Sequence, residues 1–160
     1  MVRVKLICVG KLKESFYKQA AAEYEKRLKG YCMPEILELA EERLPDNPSQ
    51  AEIDAALGRE SARIFKSIPP RAYTVVMTPE GKKCDSAGVA KLLSEAEITG
   101  GGTVCFVIGS SFGLDPEVKR RANCLLSMSD MTFPHHLARI MVLEQIYRGY
   151  SIRAGGKYDK

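Results

Sequence analysis

Several features that mark common protein classes are missing from this sequence. It has no tryptophan and no Cys-x-x-Cys pair, and its five cysteines are scattered along the chain, mostly within apolar runs. An odd number of scattered cysteines favours reduced thiols in a core over a disulfide framework, and the missing pair argues against a structural zinc ion. We therefore expect no metal.

Segments for export or membrane insertion are also missing. No run of roughly 18 apolar residues occurs, which argues against a transmembrane helix. The apolar part of residues 1–10 is too short for a signal peptide, and no small-residue cleavage site follows it. We expect a soluble, cytoplasmic protein with no membrane partner.

Common nucleotide-binding signatures are absent as well. The segment Val9-Gly10-Lys11-Leu12 is no phosphate cradle, and neither a Walker sequence nor Gly-x-Gly-x-x-Gly occurs. ATP and NAD are therefore not supported as cofactors. The net charge of +4 and the pI near 8.8 permit an RNA partner without requiring one.

The sequence does contain an alternation of short apolar runs with longer amphipathic stretches. Its 160 residues and 45% hydrophobic content suit a single domain over residues 1–160. Expected strands cover 2–9, 34–40, 73–77 and 104–108, and expected helices begin at Glu14, Ser49, Asp85, Asp115 and Pro134. This alternation predicts an α/β fold, a mostly parallel sheet with helices on both faces.

The last expected helix, from Pro134 to about Ile152, is apolar around more than half of its circumference. A helix that covers one face of a sheet needs a narrower apolar stripe. A homodimer interface through this C-terminal helix is the simplest explanation, and an ordinary core helix is the alternative.

Two loops in the last third of the chain indicate one small-ligand site. Gly109-Ser-Ser-Phe-Gly113 follows an apolar run and precedes a helix start, and the segment 126–136 is dense in small polar residues before the last helix. Glycines after a strand let backbone amides approach a ligand. The same glycines also permit a tight turn with no ligand.

The two loops together resemble those of a known family. The residues that carry the resemblance are Ile108-Gly109, Gly113-Leu114, the run from Leu126 to His135, and Leu137, Arg139, Glu144, Gln145, Tyr147, Arg148 and Ile152. The chain resembles the ribosomal RNA large subunit methyltransferase H family of the SPOUT superfamily. The resemblance implies a C-terminal trefoil knot and an S-adenosylmethionine-dependent enzyme. Its implied substrate is N3 of a pseudouridine in the helix 69 loop of 23S rRNA, in assembled ribosomes.

The resemblance also implies where S-adenosylmethionine binds. The implied contacts are Met77, Gly109, Met128, Ser129, Asp130, Met131, Thr132 and Phe133. Apolar side chains among them can wall the adenine, while backbone groups read its polar edge. Methionines are otherwise ordinary core residues, so the loop context decides this assignment.

Methylation of an imide nitrogen requires removal of its proton and stabilisation of the negative charge. The candidate catalytic residues are His135, Arg153, Tyr158 and Asp159. The family commonly ends in Pro-Tyr-His. In this sequence Lys157 stands in place of the proline and Asp159 in place of the histidine. If that histidine assists proton transfer or holds RNA in relatives, Asp159 must do so differently. Tyr158 could stack on a base and Arg153 could hold a phosphate; a solvated tail is the alternative.

Two further functions stay open from the sequence. Another SPOUT specificity, such as tRNA or rRNA ribose methylation, would keep the cofactor loops and change the RNA contacts. A non-catalytic RNA-binding protein would keep the fold and lose the cofactor. Titration with the cofactor separates these classes.

Overall fold

A computed structural model describes residues 1–160, in which strands and helices alternate along the chain. The elements are β1 (Arg3–Val9), α1 (Ser15–Leu28), β2 (Met33–Leu39), α2 (Gln50–Ser67), β3 (Tyr73–Lys82), α3 (Ser86–Thr99), β4 (Thr103–Ile108), α4 (Pro116–Arg120), β5 (Cys124–Leu126) and α5 (His135–Arg153). This strict alternation confirms the α/β class.

The five strands form one sheet in the order β2-β1-β4-β3-β5, and every neighbouring pair is parallel. The inner strands β1 and β4 carry buried side chains along most of their length, as expected of strands covered on both faces. Because the strands are parallel, their carboxyl ends lie at one edge of the sheet. The segments that follow them therefore meet at that edge.

Helices cover both faces of the sheet, as predicted. On one face α5 packs against α3 and α1, and on the other α2 contacts α4. The side chains of β1 alternate between two cores: Leu6 and Cys8 belong to the larger one, and Ile7 and Val9 to the smaller one. Burial of one large apolar side chain of this kind stabilises the fold by roughly 1.5–3 kcal/mol.

The cysteines are free thiols, and all except Cys84 are buried. Burial raises the pKa of the Cys8 thiol to about 12 and that of Cys105 to about 11, so both stay protonated at neutral pH. The prediction of reduced core thiols is confirmed for these positions.

Two helices begin at capping residues that the sequence marks. The Ser49 hydroxyl accepts a hydrogen bond from the Glu52 N–H, and the Glu52 carboxylate accepts one from the Ser49 N–H, both at 3.1 Å. Asp115 accepts a hydrogen bond from the Glu117 N–H at 2.8 Å. These bonds satisfy backbone donors that a first helical turn leaves free, so the helix starts follow from local sequence.

Strand β3 runs further than the predicted segment 73–77. It continues to Lys82 after a register shift against β5. Gly81 permits this continuation, because a Cβ at that position would lie 2.5 Å from the Leu126 nitrogen. The extension depends on this close backbone approach and not on alternating apolar side chains, so the sequence pattern does not reveal it.

Helix α5 buries much of its apolar surface within the chain. Leu143 and Ile146 belong to the larger core. Gly149 lets α3 approach closely, because a Cβ there would lie 2.8 Å from a leucine side chain of that helix. Ile140 and Met141 stay half-buried. One side of the helix therefore packs in the core, and a second side, with Ile140 and Met141, is apolar but only half-buried.

No helix in the structure combines the length and the apolar character needed to cross a membrane. The trefoil knot and the single-domain organisation over residues 1–160 stay predictions.

Candidate functional site

A cavity of about 260 Å³ opens at the carboxyl edge of the sheet, between β3 and the loops that follow β4 and β5. All eight cofactor contacts implied by the resemblance line it: Met77, Gly109, Met128, Ser129, Asp130, Met131, Thr132 and Phe133. Some of these residues are more than 50 positions apart in the sequence. They meet at one cavity because the loops that follow parallel strands lie at the same edge of the sheet.

The glycine loop after β4 is sterically tight. A Cβ at Gly109 would lie 2.3 Å from the Gly113 carbonyl oxygen and 2.7 Å from the Leu114 Cγ. Gly113 has a φ of +88°, in the left-handed region that favours glycine, and its N–H donates to the Ser110 carbonyl at 2.9 Å. The two glycines therefore make a tight turn, and both line the cavity.

Helix α2 carries a buried carboxyl group, that of Glu60. Glu60 is 4% exposed, and its Oε2 accepts a hydrogen bond from the Glu42 N–H at 2.8 Å, while its Oε1 has no partner. Burial raises the pKa of Glu60, although the hydrogen bond from the Glu42 backbone acts in the opposite direction. Glu60 is thus a buried carboxyl group of α2 with one unpaired oxygen.

Serine side chains hold the loop after β5. The Ser127 hydroxyl donates to the Ser129 carbonyl, and the Met131 N–H donates to the Ser129 hydroxyl, both at 3.1 Å. Asp130 forms an ion pair with Lys83, whose Nζ lies 2.6 Å and 2.7 Å from its two carboxylate oxygens. Local hydrogen bonds of this kind order a loop that has no regular secondary structure.

His135 stands at the first position of α5 and lines the same cavity. Its Nε2 is buried and has no hydrogen-bond partner within the chain. Burial lowers the pKa of His135, and the neighbouring His136 lowers it further, whereas Glu41 acts in the opposite direction. The imidazole is therefore neutral at pH 7 and can accept a proton.

The other three predicted catalytic residues do not line this cavity. Arg153 pairs with Glu97 of α3 at 2.7 Å and 2.9 Å. Asp159 accepts a hydrogen bond from the Arg148 guanidinium at 3.0 Å. The Tyr158 hydroxyl donates to the Glu144 carboxylate at 3.2 Å, and hydrogen bonds with Tyr24 and this carboxylate help raise the pKa of Tyr158 to about 12. The tail thus folds back along α5, and its catalytic role stays a prediction.

Comparison with known families decides the class of the protein. The family model described as "Predicted SPOUT methyltransferase" matches residues 2–159. The chain belongs to the SPOUT methyltransferase family.

Sequence relatives and solved structures agree with this assignment. Proteins named ribosomal RNA large subunit methyltransferase H, from Streptococcus equi subsp. zooepidemicus and from Streptococcus pyogenes serotype M12, are each 43% identical over 159 residues, covering 99% of this chain and 100% of the relative. A probable methylase family protein from Haemophilus influenzae Rd KW20 superposes with a TM-score of 0.56 at 14% identity, covering 99% of this chain and 70% of that one. A probable methyltransferase from Bordetella pertussis Tohama I gives 0.57 at 15% identity, covering 93% and 95%. At these identities the two structures support the fold alone.

Three polar residues of this SPOUT site were not anticipated from the sequence. Thr78 and Lys119 line the cavity, and both contact Glu80. The Thr78 hydroxyl donates to the Glu80 carboxylate, and the Lys119 ammonium does so at 3.1 Å. Hydrogen bonds from Thr78, from its own backbone N–H and from Lys119 hold the pKa of Glu80 at about 2. In the sequence, Thr78 and Glu80 merely follow the apolar run 73–77, and Lys119 lies in the last turn of the short helix α4.

A second cavity of the SPOUT chain, about 540 Å³ in volume, adjoins the first and shares Met77, Ser127 and Met128 with it. It lies between α1, α3 and α5, and its wall is mainly apolar. Ile140 and Met141, the half-buried residues of α5, are part of that wall. The apolar surface that α5 leaves uncovered is therefore a groove rather than a flat face.

No group of three or more histidine, cysteine, aspartate or glutamate side chains is arranged to hold a metal ion.

Proposed function

We propose that this chain is an S-adenosylmethionine-dependent methyltransferase that acts on N3 of a pseudouridine in the helix 69 loop of 23S rRNA, in assembled ribosomes. The observation that carries the proposal is the 43% identity, end to end, to relatives named ribosomal RNA large subunit methyltransferase H. The cavity supports it, because all eight residues implied as cofactor contacts meet there. An enzyme acting on bacterial ribosomes would work in the cytoplasm.

The residues of the cavity fit S-adenosylmethionine. Met77, Met128 and Phe133 supply apolar wall for an adenine, and the glycine loop supplies backbone groups for its polar edge. At Gly109 the turn leaves no room for a side chain, because a Cβ would lie 2.3 Å from the Gly113 carbonyl oxygen. When bound, the cofactor supplies an electrophilic methyl group carried on a sulfonium.

We assign removal of the acceptor proton to His135. Of the residues that line the cavity, it is the one whose side chain is neutral at pH 7 and able to take a proton from an imide N–H. Its Nε2 is buried and has no hydrogen-bond partner within the chain, so a substrate that reaches this atom would meet an unpaired nitrogen. Lys119, on the same wall, supplies positive charge beside the site, partly offset by Glu80.

We also propose that the active unit is a homodimer through α5. The groove along α5, with Ile140 and Met141 on its wall, supports this, because a second copy would cover apolar surface that the chain itself leaves open. In such a dimer Arg153, Tyr158 and Asp159, which do not line the cavity of their own chain, could complete the cavity of the partner. The trefoil knot, with α5 threaded through a loop, belongs to the same proposal.

The function is tested by two measurements on the purified protein. Calorimetric titration with S-adenosylmethionine should show saturable binding, and incubation with labelled cofactor should transfer methyl groups to assembled ribosomes but not to free subunits or naked rRNA. Binding without transfer to ribosomes would indicate another RNA target. Absence of binding would leave a non-catalytic RNA-binding protein.

A further inference from the structure

Four aromatic rings form a row from the protein surface to the cavity of about 260 Å³. The row passes from Phe16 through Tyr17 and His136 to His135, with ring centroids 4.5 Å, 6.2 Å and 4.2 Å apart. Its inner end, His135, lines the cavity. Its outer end, Phe16, is 62% exposed. The row therefore joins solvent to the proposed methyl-transfer site.

Three of the six large apolar side chains that are exposed follow the carboxyl ends of strands. Phe16 lies beyond β1, Phe112 follows β4 and Met131 follows β5, and all three are exposed. Large apolar side chains that share one face of a soluble protein mark a binding surface. Of the three, Met131 lines the cavity itself, and Phe112 lies between the cavity-lining residues Ser111 and Gly113.

The loop between β1 and α1 adds positive charge beside the rings. Lys11 and Lys13 make no ion pair within the chain. The acidic residue of the loop is Glu14, whose carboxylate lies 3.9 Å from the His136 Nδ1. The loop itself has two lysines and one glutamate, while the Glu38 and Glu41 carboxylates lie against its backbone near Leu12 and Gly10. The two lysines suit a polyanion next to exposed aromatic rings.

We propose that Phe16 and Tyr17 form a stacking platform for an unpaired nucleotide of the substrate RNA, beside the nucleotide that enters the cavity. This inference rests on the proposed function and adds a recognition surface to it. Unpaired bases stack on exposed aromatic rings with little dependence on sequence, and neighbouring lysines hold the phosphates. The row of rings then leads from the flanking nucleotide to His135.

RNA suits this surface better than a second copy of the chain. The groove proposed for the homodimer is bordered on α1 by Tyr24, about two helical turns beyond Phe16. A two-fold contact centred on Phe16 would also bring the unpaired lysines of both copies together, and like charges across an interface repel. An RNA backbone would instead neutralise them.

Three variants test the platform. Phe16→Ala removes the ring, Phe16→Trp keeps an aromatic face, and Ile98→Ala is a matched control because Ile98 is 86% exposed at the end of α3, by the opposite edge of the sheet. Affinity for ribosomes that lack the methylation is measured by cosedimentation. Cofactor affinity is measured by calorimetry and oligomeric mass by light scattering.

We expect Phe16→Ala to weaken ribosome binding about tenfold, the loss typical of one stacked base. Phe16→Trp and Ile98→Ala should bind like the wild type, and cofactor affinity and oligomeric mass should stay unchanged in all three. Wild-type ribosome affinity in Phe16→Ala overturns the proposal, and so does an altered oligomeric mass, which would make Phe16 a contact between copies.

The binding readout separates this inference from the proposed function. Wild-type protein that binds ribosomes without transferring a methyl group defeats the proposed function, while the platform is still judged by the loss in Phe16→Ala. Wild-type protein that does not bind ribosomes overturns both.

Discussion

Arg139 on α5 and Glu38 at the end of β2 form an ion pair, with the Arg139 Nη1 2.5 Å from the Glu38 Oε2. The arginine also donates to the Gly10 carbonyl at 3.0 Å, and Glu38 accepts from the Leu12 N–H at 2.8 Å. Burial acts to raise the pKa of Glu38, but the hydrogen bonds from Arg139 and Leu12 outweigh it and lower the pKa. The pair fixes the first turns of α5, and with them His135, against the ends of β1 and β2.

Removal of the carboxylate from this pair should destabilise the fold. Glu38→Ala leaves a guanidinium whose side chain is 2% exposed without its counter-charge. We expect a loss of about 3 kcal/mol in the free energy of unfolding, the low end of the range for a buried pair, since Glu38 is partly exposed. Arg139→Met, which replaces the charge with an apolar chain, should cost less. Urea unfolding at pH 7 measures both, and an equal or larger loss in Arg139→Met would contradict this account.

A methyl group at Gly109 should weaken cofactor binding. The added Cβ would lie 2.3 Å from the Gly113 carbonyl oxygen, so the loop must move. Overpacking of this kind costs about 1–3 kcal/mol, which corresponds to a roughly 5- to 150-fold weaker affinity for S-adenosylmethionine if the loop holds the cofactor. Calorimetry measures the affinity. Gly30→Ala is the matched control, because its Cβ would meet the Arg27 carbonyl oxygen at an ordinary 3.5 Å; equal affinity in the two variants would exclude the loop as the binding wall.

Replacement of His135 should slow methyl transfer more than it weakens cofactor binding. A positioned general base contributes about 10²- to 10⁴-fold to a rate. We expect His135→Gln to lower kcat by a factor in that range, with the affinity for S-adenosylmethionine nearly unchanged. Single-turnover kinetics on ribosomes measures the rate. A variant with wild-type kcat would assign the proton to another group.

The same substitution should change how stability depends on pH. The folded state holds the pKa of His135 below its ordinary value of 6.5. The unfolded chain therefore binds a proton at a higher pH than the folded chain, so this contribution to stability is present above pH 6.5 and lost as the pH falls through the folded pKa. Urea unfolding between about pH 5 and pH 8 should show a shallower loss on the acid side for His135→Gln. If the free energy of unfolding depended on pH in the same way in the wild type and in His135→Gln, this contribution of His135 would be contradicted.

Asp159→Ala tests the departure of the tail from the family pattern. The Asp159 pair with Arg148 is 3.0 Å long and partly exposed, so its loss should change the free energy of unfolding by less than about 1 kcal/mol. If the tail serves the partner's cavity, methyl transfer should fall by at least about tenfold, the scale of one lost charge-assisted contact. Lys160→Ala, one residue further on, is the control. A wild-type rate in Asp159→Ala would make the tail a solvated segment.

The fold could be predicted from the sequence because its signals are local. The strand expected at 104–108 is found at Thr103–Ile108, and the helices expected after Ser49 and Asp115 begin there because those side chains cap them. The continuous apolar runs of the inner strands also indicated a parallel sheet covered on both faces. The extension of β3 to Lys82 escaped prediction because it depends on a backbone contact at Gly81.

The site could be predicted only where the resemblance named its residues. Glu38 and Arg139 lie 101 positions apart, and Glu80 and Lys119 lie 39 apart. Nothing in the local sequence pairs them, because their proximity arises from the sheet order and from the packing of α5. The position of the tail residues relative to the cavity likewise depends on tertiary and, in our proposal, quaternary contacts.

The most direct test of the account is to identify the nucleotide that the protein methylates. Ribosomes lacking this modification are incubated with the purified protein and isotopically labelled S-adenosylmethionine, and nuclease fragments of the 23S rRNA are analysed by mass spectrometry. We expect one labelled methyl group, on N3 of a pseudouridine in the helix 69 loop. Label on any other nucleotide, or none on ribosomes to which the protein and cofactor are bound, would contradict it.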